Sequence, residues 1–416
     1  MKEPPSNRRL FCVDAVPSAH QLLAMVSTRS ERRAAARAAT RTPSAATATG
    51  TSASARVVGA DYGPTATVHA HGSMISPLVD WLAVGGLSIV VMLPLLATGR
   101  TDLVLVGAGA QAWIGTAINM PHFLASYRLV YSSRAMVMKH KWASMGVPAL
   151  LLLWIVAAIV MTDWTQTLGI GLVTVASVYL AWHYTGQAWG MMASFAYLAG
   201  TGFDGRERTL IRTSLRIMLT WHLAWFLYTQ LRDPSRVEIV YQVASAATVV
   251  AFGLGAWGLV RMRQRTGKNP PLLAITAWLS IFVWYAVMAR DPKALFWVQI
   301  AHSLQYLVFP FRVEYNRASG ATTVVQEAPT TTGTRAVGHM ALYAVLLLGA
   351  SVLVSQVVPS ALMGVIGNVF GEVPAQAAPI LILMFINVHH YFTDGVLWKI
   401  SNPEVRRDLF AHVPKH

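Results

Sequence analysis

Five histidines and an aspartate stand inside stretches of the chain that are otherwise apolar. His122 lies in "NMPHF", His183 in "WHYTGQ" and His302 in "AHSLQY"; His389, His390 and Asp394 share "NVHHYFTD". Ionisable side chains inside apolar spans are costly, tend to face a bundle interior, and are functional-site candidates on that ground. Neutral imidazole binds borderline metals without importing negative charge. Three or four imidazoles and a carboxylate would hold a ferrous ion with positions left open for dioxygen. The single cysteine, Cys12, excludes intramolecular disulfides, iron–sulfur clusters and thiolate zinc sites. Any metal must therefore use nitrogen and oxygen ligands, which favours iron, manganese, zinc or copper.

Local spacing adds orienting groups. Residues three or four apart share a helix face, which pairs His390 with Asp394, His183 with Gln187 and His302 with Tyr306. Asn119 with His122, and Asn387 with His390, repeat one Asn-x-x-His spacing. A metal-bound histidine usually gives its second ring N–H to an oxygen acceptor. Asn119, Gln187, Gln305 and Asn387 are the candidate cofactor-binding residues on that argument, and Asp394 and Tyr306 the candidate catalytic groups. His389 and His390 diverge by about 100° on a helix, so one of them faces a given ion. Single membrane histidines more often hydrogen-bond between helices than bind metal. His222, between Trp221 and Trp225, is read that way. His140 and His339 fall at loops or span ends, and Asp80 is read as an interfacial charge.

These residues need helices to carry them. The 416-residue chain is 54% hydrophobic and only 12% charged, with a mean hydropathy of +0.46. Soluble domains carry about a quarter charged residues, so the composition is that of an all-α, polytopic membrane protein. Ten segments of spanning length are expected near 77–97, 103–127, 147–162, 167–190, 209–230, 238–260, 271–290, 294–312, 339–358 and 375–398. "WGMMASFAYLAG" either lengthens the fourth or lies along the interface. Residues 1–73 form a separate low-complexity basic tail, too poor in large apolar residues to support a core; residues 74–416 are the transmembrane domain. Met74 is a plausible true start, and the tail histidines His69 and His71 carry no function.

The net charge of +15 points to topology rather than nucleic acid. "YRLVYSSRAMVMKHKW", "GRERTLIRTSLR", "RMRQRTGK" and "WKISNPEVRRDLF" are basic and fall on one side when spans are counted, which the positive-inside rule makes the cytoplasm. Both termini are then cytoplasmic. At 1.5 Å per residue, His122 lies about 9 Å before Arg128, and His389 and His390 about 12–14 Å before the Trp398–Lys399 boundary. The imidazoles thus share a depth in the cytoplasmic half of the bundle.

Histidines distributed singly over several spans, in "PHF", "WHY", "AHS" and "VHHYF", resemble the histidine-rich membrane oxygenases, nearest the Brp/Blh group of carotene-cleaving dioxygenases. That resemblance implies a polytopic bundle and iron held by His122, His183, His302 and either His389 or His390. The expected function is an inner-membrane non-haem iron oxygenase whose partners are a lipophilic substrate, dioxygen and the bilayer, with no nucleic acid. Two other classes fit the same residues: a haem-binding membrane protein, and a transporter in which the histidines and Asp394 relay protons or bind a cation.

Overall fold

The computed structural model describes residues 73–100, 107–231, 233–320, 333–398 and 407–411. The tail expected at 1–73 falls outside them apart from Ser73, as do His69 and His71. The described residues form helices and no strand. Ten long rods follow one another: α1 Pro77–Thr98, α2 108–130, α3 Trp142–Val160, α4 Thr165–Leu198, α5 Gly205–Gln230, α6 Ser235–Thr266, α7 Leu272–Arg290, α8 Leu295–Ala318, α9 333–370 and α10 Glu372–Leu397.

Among the described residues, seven helices are long and apolar enough to cross a membrane; α2, α5 and α8 are not among them. The reason lies in what those three carry. α5 opens with Arg206, Arg208, Arg212 and Arg216, and α8 ends in Arg312, Glu314 and Arg317; α2 and α8 also hold His122, His302 and their polar neighbours. The outer surface agrees with a membrane protein. Leu153, Ile170, Ile239, Val249, Val345 and Val369 are each more than 60% exposed, a continuous apolar exterior that water would not tolerate and lipid would.

α4 and α9 extend furthest beyond the expected spans. "WGMMASFAYL" continues α4 to Leu198. The stretch "PSALMGVIGNVF", expected as a loop after residue 358, is helical, and α9 turns only at Gly371. Proline explains the second misreading. Pro359 has no N–H and its ring crowds the carbonyl four residues back, so it reads as a terminator. A wide π turn at Leu353–Val357 absorbs the mismatch and lets the helix continue. The same device recurs at Gly115–Asn119 before Pro121 and at Trp142–Gly146 before Pro148. In α2 it falls immediately before His122, a common place for π turns to serve a site.

α1 bends for a different reason. Gly85 sits at φ +143° within a widened turn, a conformation natural only to glycine. Its Cα faces Ser280 of α7, where an added Cβ would lie 2.8 Å from the Ser280 Cβ. The bend frees the Val84 carbonyl to accept from Gln305 Nε2 of α8. It also aims Ser88 at Trp284, whose indole N–H donates to the Ser88 hydroxyl at 2.8 Å. Gly85→Ala therefore combines strain and overpacking, with an expected loss of about 2–4 kcal/mol. A thermal unfolding series in detergent checks it; an unchanged midpoint would show that α1 can straighten at no cost.

The interior is built mainly from large aromatics and methionines. Tyr184, Met191, Met192 and Phe195 of α4 pack against Met218 and Trp221 of α5 and against Trp278 and Trp284 of α7. α10 runs against α2, α3, α4 and the second half of α9, while α8 packs on α1, α2 and α9. α2, α4, α8 and α10 thus surround one interior volume, and each contributes a histidine to it. Asp80 proves fully buried rather than interfacial: its carboxylate accepts the backbone N–H groups of Met74 and Ile75 and closes the start of α1.

Candidate metal centre

Four groups converge in the enclosed volume. One donor atom from each of His122, His183, His390 and Asp394 lies within 4.8 Å of all the others. His183 Nε2 and His390 Nε2 are 3.3 Å apart. Asp394 Oδ2 is 3.3 Å from the former's neighbour, His390 Nε2, and 3.8 Å from His183 Nε2. All four residues are buried, none more than 8% exposed. Ligand atoms about 2.0–2.1 Å from a metal stand about 3.0–3.4 Å apart in octahedral or tetrahedral arrangements; the two 3.3 Å separations around His390 Nε2 fall in that range, and the 3.8 Å one is wider.

The hydrogen bonds around the group show which ring atoms face inward. The Ser126 hydroxyl donates to the Phe123 carbonyl at 2.8 Å. With that proton on the Phe123 carbonyl, its oxygen accepts from His390 Nδ1–H, 2.6 Å away, the tautomer that leaves a lone pair on His390 Nε2. Ser303 acts in the same way on His122. Its proton goes to Asn119 Oδ1 at 2.7 Å or the Gln299 carbonyl at 2.8 Å, and its oxygen faces His122 Nδ1 at 3.3 Å. His122 Nε2 is buried with no hydrogen-bond partner. The Tyr306 hydroxyl donates to Asp394 Oδ1 at 2.8 Å and itself accepts from the Trp398 indole N–H, so Asp394 Oδ2 is the oxygen left for the interior. The outer atoms of His122, His390 and Asp394 are tied, and their inner atoms face the group. A carboxylate oxygen and an imidazole lone pair at 3.3 Å repel unless a proton or cation lies between them, and unpartnered buried polar atoms are costly. The donor set fits a metal ion, and the group could hold one.

The remaining expected site residues divide. His302 lies beside the group, its ring centroid 4.7 Å from that of His183 and 5.1 Å from that of His122. It is outside the compact four, and both of its ring nitrogens are buried without a partner. The adjacent histidines part: His390 enters the group, while His389 stacks on Tyr127 at 4.8 Å and faces the Tyr131 hydroxyl at 3.3 Å. His222 meets the Tyr285 hydroxyl at 3.0 Å across to α7.

The amides do other work than expected. The Asn119 side chain reaches His122 only through Ser303, while its backbone bonds the His122 ring directly. Gln187 Nε2 donates to Gln305 Oε1 and to the His302 carbonyl, tying α4 to α8 rather than orienting His183, and Gln305 passes the link on to α1. Asn387 bonds the Leu383 carbonyl and the Tyr391 hydroxyl and leaves His390 untouched. Helical spacing identifies residues on one face, but not the cross-helix partner that a side chain prefers.

Ser126 and Ser303 were not expected in the site. A serine in a helix usually bonds a carbonyl one turn back, and both do so here, which hides their second role. The one available signal was position: Ser126 lies four residues after His122, and Ser303 directly follows His302. Ser126→Ala removes the acceptor that fixes His390, with an expected fall in metal affinity of about 10–100-fold, measured by competition against a graded series of chelators. Equal affinity would show that another group sets this ring.

No protein-family model matches the chain, and no curated protein or solved structure is significantly similar to it.

Proposed function

We propose that the protein is a membrane-bound non-haem iron oxygenase or oxidoreductase acting on a lipophilic substrate. The observation that carries this reading is the convergence of lone-pair-bearing atoms of His122, His183, His390 and Asp394, from three helices, in a buried volume. Imidazole and carboxylate ligands with open positions are the donor set of non-haem iron centres. Bound iron would supply the site with the capacity to bind and reduce dioxygen.

The chain's own residues then have defined tasks. Ser126 and Ser303 hold His390 and His122 in the tautomer that presents Nε2. Tyr306, steadied by Trp398, keeps Asp394 Oδ2 turned inward and stands ready as a proton donor 2.8 Å from Oδ1. His302, unpartnered beside the group, can supply a further nitrogen by side-chain rotation. The apolar shell of Phe123, Tyr184 and Tyr391 excludes water, which strengthens every electrostatic interaction inside. In this reading all ten rods cross the inner membrane, both termini are cytoplasmic, and the site lies in the inner half of the bundle.

The haem alternative finds less support. Two axial nitrogens on one iron stand about 4 Å apart with a wide macrocycle between them, whereas His183 Nε2 and His390 Nε2 are at 3.3 Å and wedged among other side chains.

Elemental analysis of detergent-purified protein, coupled to dioxygen uptake after ferrous loading, tests the proposal. The expected result is about one iron per chain and oxygen uptake that stops on chelation. A folded protein that refuses iron would overturn the reading. One that binds a redox-inert cation and carries it across vesicles would favour transport instead.

A further inference from the structure

We propose that a gap between α4 and α10 admits the hydrocarbon end of a membrane lipophile to the histidine–aspartate group, an inference that rests on the oxygenase reading above. A cavity of about 170 Å³ lies between α4, α8 and α10, and His183 and Asp394 form part of its wall. Trp182, Phe309, Tyr391 and Trp398 give it a largely aromatic lining. The cavity therefore joins an apolar chamber to the only ionisable groups placed for chemistry in this reading.

Its mouth is made by residues without side chains. Gly186 and Gly190 on α4 and Gly395 on α10 border the cavity, and a Cβ added at any of them would meet nothing within 4 Å. Gly186 and Gly395 are exposed, and neighbouring Trp182 is 67% exposed. On a protein with this apolar exterior, that side faces lipid rather than water. Entry is lateral.

Size and charge specify the occupant. An apolar cavity of about 150 Å³ takes one benzene molecule, so this chamber holds a ring or a few chain carbons while the rest of the molecule stays in the bilayer. Among the residues lining it there is no lysine or arginine. A carboxylate or phosphate headgroup would enter a low-dielectric space beside Asp394 with no cationic side chain to offset it. Gln187 adds a buried side-chain oxygen with no partner, a neutral acceptor that suits a hydroxyl or an unsubstituted end and repels an anion. The end that reaches the site is the hydrocarbon or hydroxyl end of a long-chain molecule.

Photolabelling tests this without an assay of turnover. The full chain in lipid nanodiscs is photolysed with palmitic acid carrying a diazirine on its terminal carbon, adducts are mapped by peptide mass spectrometry, and iron is measured on the same sample. Adducts are expected on Phe309, Tyr391 and Trp398. They should fall several-fold in Gly186→Trp and in Gly190→Leu at unchanged iron content, because both side chains would fill the mouth without touching the donor atoms. Adducts confined to outward-facing Ile170 and Leu153, and insensitive to both substitutions, would overturn the chamber even in an iron-loaded protein. Labelling of the inner wall in a chain that binds no iron would support the chamber and remove the oxygenase reading. A diazirine beside the carboxylate should label outside the chamber, and labelling within it would overturn the assignment of the entering end.

Discussion

On the oxygenase reading, His183→Ala is expected to lower the iron content of the purified protein from about one ion per chain to less than about a tenth, because it would delete a ligand rather than an outer partner. The effect should exceed that of Ser126→Ala, which leaves all donor atoms in place. His183 is the right residue for this test because its Nε2 lies close to two of the other three donors: 3.3 Å from His390 Nε2 and 3.8 Å from Asp394 Oδ2. His389→Ala is the matched control. It removes an imidazole one position from His390, yet His389 stacks on Tyr127 away from the group, so iron content should stay near the parent value. Parallel metal analysis and thermal unfolding of the two variants separates ligand loss from misfolding. Equal losses in both, or none in His183→Ala, would show that the four donor atoms do not share an ion.

The second large effect lies far from the donor atoms. Glu207→Ala should destabilise the α5–α6 hairpin by about 2–4 kcal/mol, read as a lowered thermal midpoint in detergent. Glu207 is fully buried, and its carboxylate accepts from Arg265 Nε at 2.7 Å and from the same guanidinium at 2.8 Å. It also closes a reciprocal cap on α5: the Asp204 backbone N–H donates to Glu207 Oε2, and the Glu207 backbone N–H donates to Asp204 Oδ1 at 2.7 Å. Arg265 is partly exposed and stays hydrated when its partner is lost, which keeps the cost below that of stranding a fully buried charge. Glu207→Gln, which retains the cap geometry and loses the charge, should show a smaller fall. An unchanged midpoint in Glu207→Ala would mean that glycine and alanine packing alone hold the hairpin, where Gly258 of α6 lies against Ile211 of α5.

The same hairpin carries an acid dependence of known sign. The Glu207 backbone N–H, with further help from the Arg206 backbone and the Arg265 charge, holds the Asp204 carboxyl below the usual carboxylate range. A lowered folded-state value favours the folded chain above the ordinary carboxylate pKa, and that contribution is lost as pH falls through the lowered value. α5 packs on α4, so loosening the cap acts on the helix that carries His183.

Much of this organisation was legible from residues alone. Apolar runs located the rods among the described residues, seven of them long and apolar enough to cross a membrane, as expected where every backbone group must be bonded within its own helix. The cost of burying imidazole in such runs singled out His122, His183, His302 and the His389–His390 pair. Helix ends were less legible: Pro359 reads as a stop, and only the folded backbone shows the wide turn that carries α9 past it. Outer partners were less legible still. Asn387 and Gln187 have the right spacing to orient histidines but find better partners on other residues, whereas Ser126 and Ser303 look like ordinary helix serines until a ring nitrogen is found against each. The choice between His389 and His390 turns on about 100° of helix rotation, which an alternating apolar pattern this uniform does not fix.

The order of the donor residues along the chain bears on biogenesis. His390 and Asp394 both belong to the last rod, some two hundred residues beyond His183. Until that rod is inserted the translocated chain holds only half of the four donors, so the pocket cannot close around an ion during synthesis. On the metal-site reading, ion capture would follow insertion of α10, and loss of α10 would leave the earlier rods without a centre to assemble.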